Sequence, residues 1–385
     1  LDSWERLREA EYTLLVTEHD PHIAALADVL TVLKDGAIAF DGRPGDLLSH
    51  PARCRELGVL PTEAAEIAAA VGLPPLLEEH ELVDGLRAAG AYLADPSALG
   101  DKVEDWPTPG ATLVFADELE AGYGDRTVLR DMDLEVREGE VVALLGRNGS
   151  GKTTLAKCIN GLLAPSSGTI RLAGQDPRQM KRTEVARLAG MVFQNPDHQI
   201  IATTVLEELY LGPRPAGIDE ATARDGVDWA IHMTGLEAFV NEDPFVLPKG
   251  LRQKVALAAI LAFRPPAIIF DEPTTGLDGP EQVEIMELLR RLAHEGHAVL
   301  VITHAVWAAA RYAKRVVLLH EGERLASGSP RAVMDQIVNL RRAGIEPPVS
   351  VRVSREVFGQ VLLAPADYGA HVRLRRVEDE AGGSQ

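Results

Sequence analysis

Gly146-Arg147-Asn148-Gly149-Ser150-Gly151-Lys152-Thr153 lies between an apolar run, Glu140-Val141-Val142-Ala143-Leu144-Leu145, and a helix-compatible run, Thr154-Leu155-Ala156-Lys157-Cys158-Ile159. Strand, glycine-rich loop and helix, in that order, form the context a phosphate-binding P-loop requires. The glycines let the backbone curl inward, so that successive N–H groups aim at phosphate oxygens with a helix N-terminus behind them. On this reading Gly146, Asn148, Gly149, Ser150, Gly151 and Thr154 border the phosphates and Lys152 reaches the β- and γ-phosphates. The Thr153 hydroxyl joins a magnesium shell.

The rest of the composition fits such a reading. The chain has 385 residues, 46% apolar and 25% charged, enough for two domains. Its net charge of −19 makes it a poor candidate for sequence-independent nucleic-acid binding, which relies on Lys and Arg neutralising phosphates. It also excludes direct polybasic attachment to an anionic membrane. No apolar run approaches the ~20 residues of a spanning helix. Cys54 and Cys158 are the only cysteines, which suits a reducing cytosol, and Cys158 reads as a small core residue. His198, His232, His294 and His297 show no metal-ligand spacing.

Two stretches repeat one order of elements. Residues 12–17 read as a buried strand leading to Glu18-His19-Asp20, a short helix follows, and 29–33 and 38–40 form a hairpin around Lys34-Asp35-Gly36-Ala37. Residues 299–303 with His304, and the apolar run Val316 to Leu319 before Gly322, repeat that order. An offset of 286 relates Gly36 to Gly322, Gly42 to Gly328, Gly58 to Gly344 and Pro61 to Pro347, and one of 285 relates His19 to His304. This is an internal repeat whose first copy has no P-loop of its own. Residues 64–93 read as helices broken at Gly72-Leu73-Pro74-Pro75, and Asp95 to Gly110 as a Pro/Gly-rich linker.

A second chemical landmark is the apolar strand Ala267-Ile268-Ile269-Phe270, which ends in Asp271-Glu272-Pro273. An aspartate at the end of a strand beside a P-loop can hold Mg²⁺ through water, and the next carboxylate can polarise an attacking water.

With Gln194 after an apolar strand, Gly276-Leu277-Asp278 and Thr303-His304, these landmarks resemble, in order, those of ATP-binding-cassette (ABC) ATPases. The resemblance covers residues ~111 to 347 and, through the repeat, ~10 to 61. It implies an α/β fold: a parallel P-loop core, an antiparallel β-subdomain at 112–136 and a helical subdomain near 203–262. The cofactors it implies are ATP and Mg²⁺. It makes Gln194 the sensor of γ-phosphate and Mg²⁺, Glu272 the base, His304 a γ-phosphate contact, Asp278 a dimer contact and Tyr123 the residue stacked on adenine.

Asn195-Pro196-Asp197-His198-Gln199-Ile200-Ile201-Ala202-Thr203-Thr204-Val205 further resembles the segment found in ATPases of energy-coupling factor (ECF) transporters. That likeness implies import of a vitamin or metal ion, with a membrane coupling protein, a substrate-binding membrane protein and a second ABC unit as partners. It implies a cytoplasmic, peripheral location on the inner face of the membrane. One departure stands out. Where the family carries Leu-Ser-Gly-Gly-Gln, this chain has Leu247-Pro248-Lys249-Gly250-Leu251, and Pro248 supplies neither hydroxyl nor N–H.

The expected organisation is a remnant of a first ABC unit at 1–95, a linker at 96–110, a complete ABC domain at 111–345 and a short extension at 346–385. Truncation of a longer tandem protein is the expected origin of the first part. The rival expectations are a soluble ABC ATPase outside transport and a nucleotide-binding regulatory subunit.

Overall fold

A computed structural model describes residues 12–99 and 106–375. The charged first residues and the acidic run Glu378-Asp379-Glu380 lie outside the described residues. Helix α1 (Pro21–Ala24) precedes a hairpin, β1 (Leu30–Lys34) and β2 (Ala37–Gly42). Helices α2 (Gly45–Leu48), α3 (Pro51–Leu57), α4 (Glu63–Val71) and α5 (Glu79–Ala88) and the short β3 (Tyr92–Leu93) complete the first region. The expected strand at 12–17 does not form: these residues are exposed and without regular structure. An apolar run becomes a buried strand only where parallel neighbours satisfy its N–H and C=O groups. None of the described strands lies beside it.

The second region begins with β4 (Thr112–Tyr123) and β5 (Arg126–Arg137). It continues through β6 (Glu140–Leu145), α6 (Lys152–Ile159), β7 (Ser167–Leu172), α7 (Arg182–Leu188) and β8 (Ala189–Val192). Helices α8 (Val205–Leu211), α9 (Glu220–Thr234) and α10 (Lys249–Leu261) form the helical layer. Then come β9 (Ala267–Asp271), α11 (Gly279–His294), β10 (Ala298–Thr303), α12 (Val306–Tyr312), β11 (Arg315–His320) and β12 (Glu323–Gly328). The last described elements are α13 (Pro330–Met334), α14 (Ile337–Arg342), α15 (Val349–Phe358), α16 (Pro365–His371) and β13 (Val372–Arg373).

The main sheet has the order β12-β11-β6-β10-β9-β8, with only β12 antiparallel. Parallel strands covered on both faces read as continuous apolar runs, and every residue of β6, β9 and β10 is buried. Side chains alternate between faces. Val141, Ile268, Phe270, Val299 and Val301 join the core under α10 and α11, while Val142, Leu144, Ile269, Leu300 and Ile302 join the core under α6 and the β5-β4-β7 sheet. The ends of β6, β9 and β10 therefore open side by side, where open α/β sheets bind ligands.

The repeat holds at the level of register. β1 and β2 pair Leu30 with Gly42, Val32 with Phe40 and Leu33 with Ile38, with a shift after Val32. β11 and β12 pair Val316 with Gly328, Leu318 with Ala326 and Leu319 with Arg324, with a shift after Leu318. Each position maps onto its mate at the same offset of 286. Both turns place two consecutive residues at positive φ, Asp35 and Gly36 in one and Glu321 and Gly322 in the other, as tight right-twisted hairpins require.

The correspondence extends to the helices. α4 matches α15 and α5 matches α16, and the four pack reciprocally, α4 on α16 and α5 on α15. Ile67 and Val353, Leu82 and Tyr368, and Leu86 and Val372 are three matched pairs buried in one shared core. The two repeats thus meet in a four-helix body with approximate two-fold symmetry.

Candidate nucleotide site

The P-loop leaves β6 at Gly146, where a Cβ would lie 2.5 Å from Ser150 Oγ and 2.6 Å from Leu319 O. Gly149 has a φ of +82° and Gly151 one of +111°, backbone open to glycine at little cost. Gly151 caps α6 without a side-chain hydrogen bond, so the first N–H groups of the helix are left for a ligand. Ser150 Oγ is buried with no hydrogen-bond partner among the described residues. A buried hydroxyl without a partner can donate to a phosphate oxygen.

Lys152 is 7% exposed, and its ammonium donates to Gly146 O (2.6 Å) and Arg147 O (3.0 Å). Burial pushes its pKa below 10.5, against the pull of Glu272 and Asp271. Thr153 Oγ1 donates to Asp271 Oδ2 at 3.4 Å. Burial, and then the neighbouring Glu272, hold the Asp271 carboxyl above its usual range. Two oxygen donors at this separation fit a hard cation such as Mg²⁺, which is usually held by one or two carboxylates and substrate phosphates. Among the described residues no group of three or more His, Cys, Asp or Glu side chains forms a metal cage.

Glu272 follows β9 with a φ of +53°, a left-handed conformation that a non-glycine residue adopts at a cost. Its N–H donates to Ile302 O (2.8 Å), and Oε2 accepts from Thr303 Oγ1 (3.2 Å) and the His304 N–H (3.3 Å). Its Oε2 also lies 2.8 Å from His304 Nδ1. The hydrogen bond to Glu272 raises the imidazole above 6.5, partly opposed by burial. Glu272 is nearly buried, while the His304 side chain is 63% exposed. The left-handed turn therefore holds a buried carboxylate against Thr303, with an exposed imidazole braced against it.

Among the described residues, the side-chain contacts of the remaining residues anticipated from the sequence run to groups other than this centre. Gln194 is exposed two residues beyond β8, and among the described residues it makes no hydrogen bond to Asp271 or Glu272. Tyr123 ends β4, 48% exposed, with Lys157 Nζ 3.3 Å from its hydroxyl and 5.4 Å from its ring centre. Pro248 caps α10 without a side-chain bond, and Lys249 Nζ donates to Thr275 O at 2.9 Å. Gly250 is buried against Glu281, where a Cβ would lie 2.3 Å from Oε1. Asp278 caps α11 by accepting from the Glu281 N–H (2.9 Å), and Glu281 returns the bond to the Asp278 N–H (3.1 Å).

Three supporting groups escape sequence reasoning. Thr303 Oγ1 anchors Glu272; its pairing depends on strand register. Gly322 N–H donates to Ser150 O at 2.9 Å, tying the β11–β12 turn to the P-loop. Buried Glu208 accepts from the N–H groups of Ile201 (2.9 Å) and Ala202 (2.8 Å), ordering the loop after Gln194. Gly322 left a signal in the sequence as a repeat position and Thr303 as the neighbour of His304 in that landmark, though not its bond to Glu272; Glu208 left none.

Known proteins resemble this chain in sequence and fold. The family described as ABC transporter matches residues 129–275. A putative ABC transporter ATP-binding protein of Caldanaerobacter subterraneus subsp. tengcongensis is 37% identical over 91% of this chain and 63% of its own length. The chain spans about three-fifths of the length of this and similar archaeal relatives. The energy-coupling factor transporter ATP-binding protein EcfA1 of Bacillus subtilis is 38% identical over 60% of this chain and 82% of its own. Among solved structures, cbiO1 from Clostridium perfringens, described as part of the ABC transporter complex cbiONQ, aligns with a TM-score of 0.55. It shows 31% identity over 61% of this chain and 95% of its own.

Proposed function

Because this chain belongs to the ATP-binding proteins of ABC transporters, we propose that it binds and hydrolyses ATP to drive import through an ECF-type membrane complex. The observation that carries the catalytic part is the convergence of Lys152, Thr153, Asp271, Glu272 and His304 at adjoining strand ends. In this reading the P-loop amides, Ser150 Oγ and Lys152 hold the phosphates. Thr153 and Asp271 hold Mg²⁺, which neutralises charge on the β- and γ-oxygens when bound. Glu272 accepts a proton from the attacking water, and His304, held by Glu272 at Nδ1, presents its other ring nitrogen toward the γ-phosphate. Tyr123 would stack on adenine.

The import part rests on the likeness to ECF transporter ATPases and on the loop after Gln194. Glu208 fixes that loop, and Arg252 Nε reaches Asp197 Oδ1 at 2.7 Å. Exposed Ile201, Phe245 and Val246 give the helical subdomain an apolar surface suited to a membrane coupling protein. No helix among the described residues is long and apolar enough to cross a membrane, so transport would depend on such a partner and on a separate substrate-binding membrane protein. A vitamin or a transition-metal ion is the cargo class this reading implies, and the inner face of the cell membrane is the location. The repeat supports a domain arrangement in which residues 1–95 are the last part of one ABC unit and 111–345 form another.

Pro248 favours a second reading, a nucleotide-binding subunit with little turnover. Losing a charge-assisted hydrogen bond to the γ-phosphate costs roughly 1.5–3 kcal/mol. In an ABC pair that loss falls on the partner's site. Glu272→Gln separates the two readings. Hydrolysis should fall at least ~100-fold while ATP binding persists; unchanged turnover, or none in the parent chain paired with a second unit, would favour the regulatory reading.

A further inference from the structure

The loop from Glu272 to Asp278, between β9 and α11, makes few strong bonds of its own. Its turn bonds, from the Thr275 N–H to Glu272 O and from the Leu277 N–H to Thr274 O, are 3.3 and 3.4 Å long, beyond the usual range of about 2.7–3.2 Å. Thr275 Oγ1 is buried with no hydrogen-bond partner among the described residues. Leu277 is buried in the core, and the remaining support comes from outside the loop. Lys249 Nζ donates to Thr275 O and Gln282 Nε2 to Leu277 O, each at 2.9 Å. A third contact comes from the first repeat. A Cβ on Gly279, the residue after Asp278, would lie 2.3 Å from Leu60 Cγ and 2.6 Å from its Cδ2.

This contact belongs to the first repeat alone. Gly279 is buried and does not have a positive φ, so the close approach of Leu60, and not backbone freedom, is what leaves no room for a side chain there. Shifted by 286, Leu60 becomes Glu346, which is exposed. The fold of the repeat itself therefore does not demand an apolar side chain at this place. Two further positions of the first repeat turn the same way. Glu63 and Glu66, whose mates are Val349 and Arg352, lie 3.7 and 3.4 Å from Arg311 Nη2. Arg311 is on α12, which begins two residues after His304. The start of α4 and the turn before it thus meet the second region beside Asp278 and behind His304.

We propose that Leu60 of the first repeat is a positioning residue for the nucleotide site. Acting through Gly279, it sets Asp278 and the loop that joins Asp278 to Glu272. Its effect on turnover rests on the ATP hydrolysis proposed for this chain; its effect on the loop does not. Phosphate contacts belong to Lys152 and the P-loop, so nucleotide affinity is expected to persist while the geometry of hydrolysis changes.

The test is a double-mutant cycle on the full chain: Leu60→Ala, Gly279→Ala and both together. The readouts are hydrogen exchange of residues 272–282, equilibrium binding of a non-hydrolysable ATP analogue, and MgATP turnover. Leu60→Ala should speed exchange of that segment at least ~10-fold, while exchange of β6 and β10 stays within ~3-fold of the parent. Gly279→Ala, pressed against Leu60, should do the same. In the double variant the added methyl meets the vacated space, and exchange should return to within ~3-fold of the parent. Turnover should follow that order, falling ~10-fold in each single variant while analogue affinity changes less than ~3-fold. Parent-level exchange in Leu60→Ala, effects that simply add in the double variant, or analogue affinity that falls in step with turnover would overturn the proposal. A parent chain with no analogue binding or no turnover would contradict the ATPase reading instead, and the exchange cycle would still decide the role of Leu60.

Discussion

The hairpins β1–β2 and β11–β12 share register, bulge and turn conformation at matched positions, yet they differ in what surrounds them. Val316, Val317, Leu318 and Leu319 are all at most 1% exposed because β11 pairs in parallel with β6 and lies between packed faces. Their mates are Leu30, Thr31, Val32 and Leu33. Of these only Val32 is buried, and Leu33 is 71% exposed. The turns differ in the same way. A Cβ on Gly322 would lie 2.0 Å from Val128 O, whereas one on Gly36 would meet nothing within 4 Å. Hairpin shape is thus encoded locally, by a two-residue turn and a bulge, while burial depends on a strand far away in sequence.

Substitutions at matched positions can break or sharpen this comparison. Leu319→Ala should cost about 3 kcal/mol, as truncation of a fully buried leucine does, whereas Leu33→Ala should stay within about 0.5 kcal/mol. Chemical-denaturation midpoints would show the gap, and equal losses would mean that β1 is covered as β11 is. Gly322→Ala should cost about 3 kcal/mol, combining a backbone clash with left-handed strain. Gly36→Ala should cost only the strain, about 1 kcal/mol.

Within the four-helix body the contrast disappears. Ile67 and Val353 are both fully buried and occupy matched places. Their truncations to alanine should therefore each lower stability by about 2–3 kcal/mol. A loss confined to Val353 would mean the first-repeat helices are not integral to the body.

The smallest effect concerns pH at the second region alone, since Glu18 and exposed His19 stand where Thr303 and His304 hold Glu272. The hydrogen bond to Glu272 raises His304 above 6.5, so its charged form persists above that pH. The His304–Glu272 attraction is complete below 6.5 and is lost as pH rises through the raised value. His304→Gln should remove this titration from the pH dependence of ATP hydrolysis without abolishing ATP binding.

What the sequence made legible follows from how far each feature reaches. The P-loop, the acidic pair at the end of β9 and the turn at Gly36 depend on residues within a few positions of one another, and all lie in the elements expected. Residues 12–17 failed as a strand because strand formation needs a neighbour that composition cannot supply. The joining of α4 and α5 to α15 and α16 links positions almost three hundred residues apart in sequence, and no local pattern announces it. Asp278, expected at a dimer contact, also closes a capping box with Glu281, which the Asp-Gly-Pro-Glu spacing at 278–281 could have indicated.

Equilibrium binding of a non-hydrolysable ATP analogue with Mg²⁺, before and after Lys152→Ala, tests the assignment of the nucleotide site most directly. One analogue per chain is expected, with affinity falling at least ~100-fold in the variant as a buried phosphate contact is lost. A second site of equal affinity on residues 12–95, or an affinity indifferent to Lys152→Ala, would contradict the placement of the site at Gly146 to Thr153.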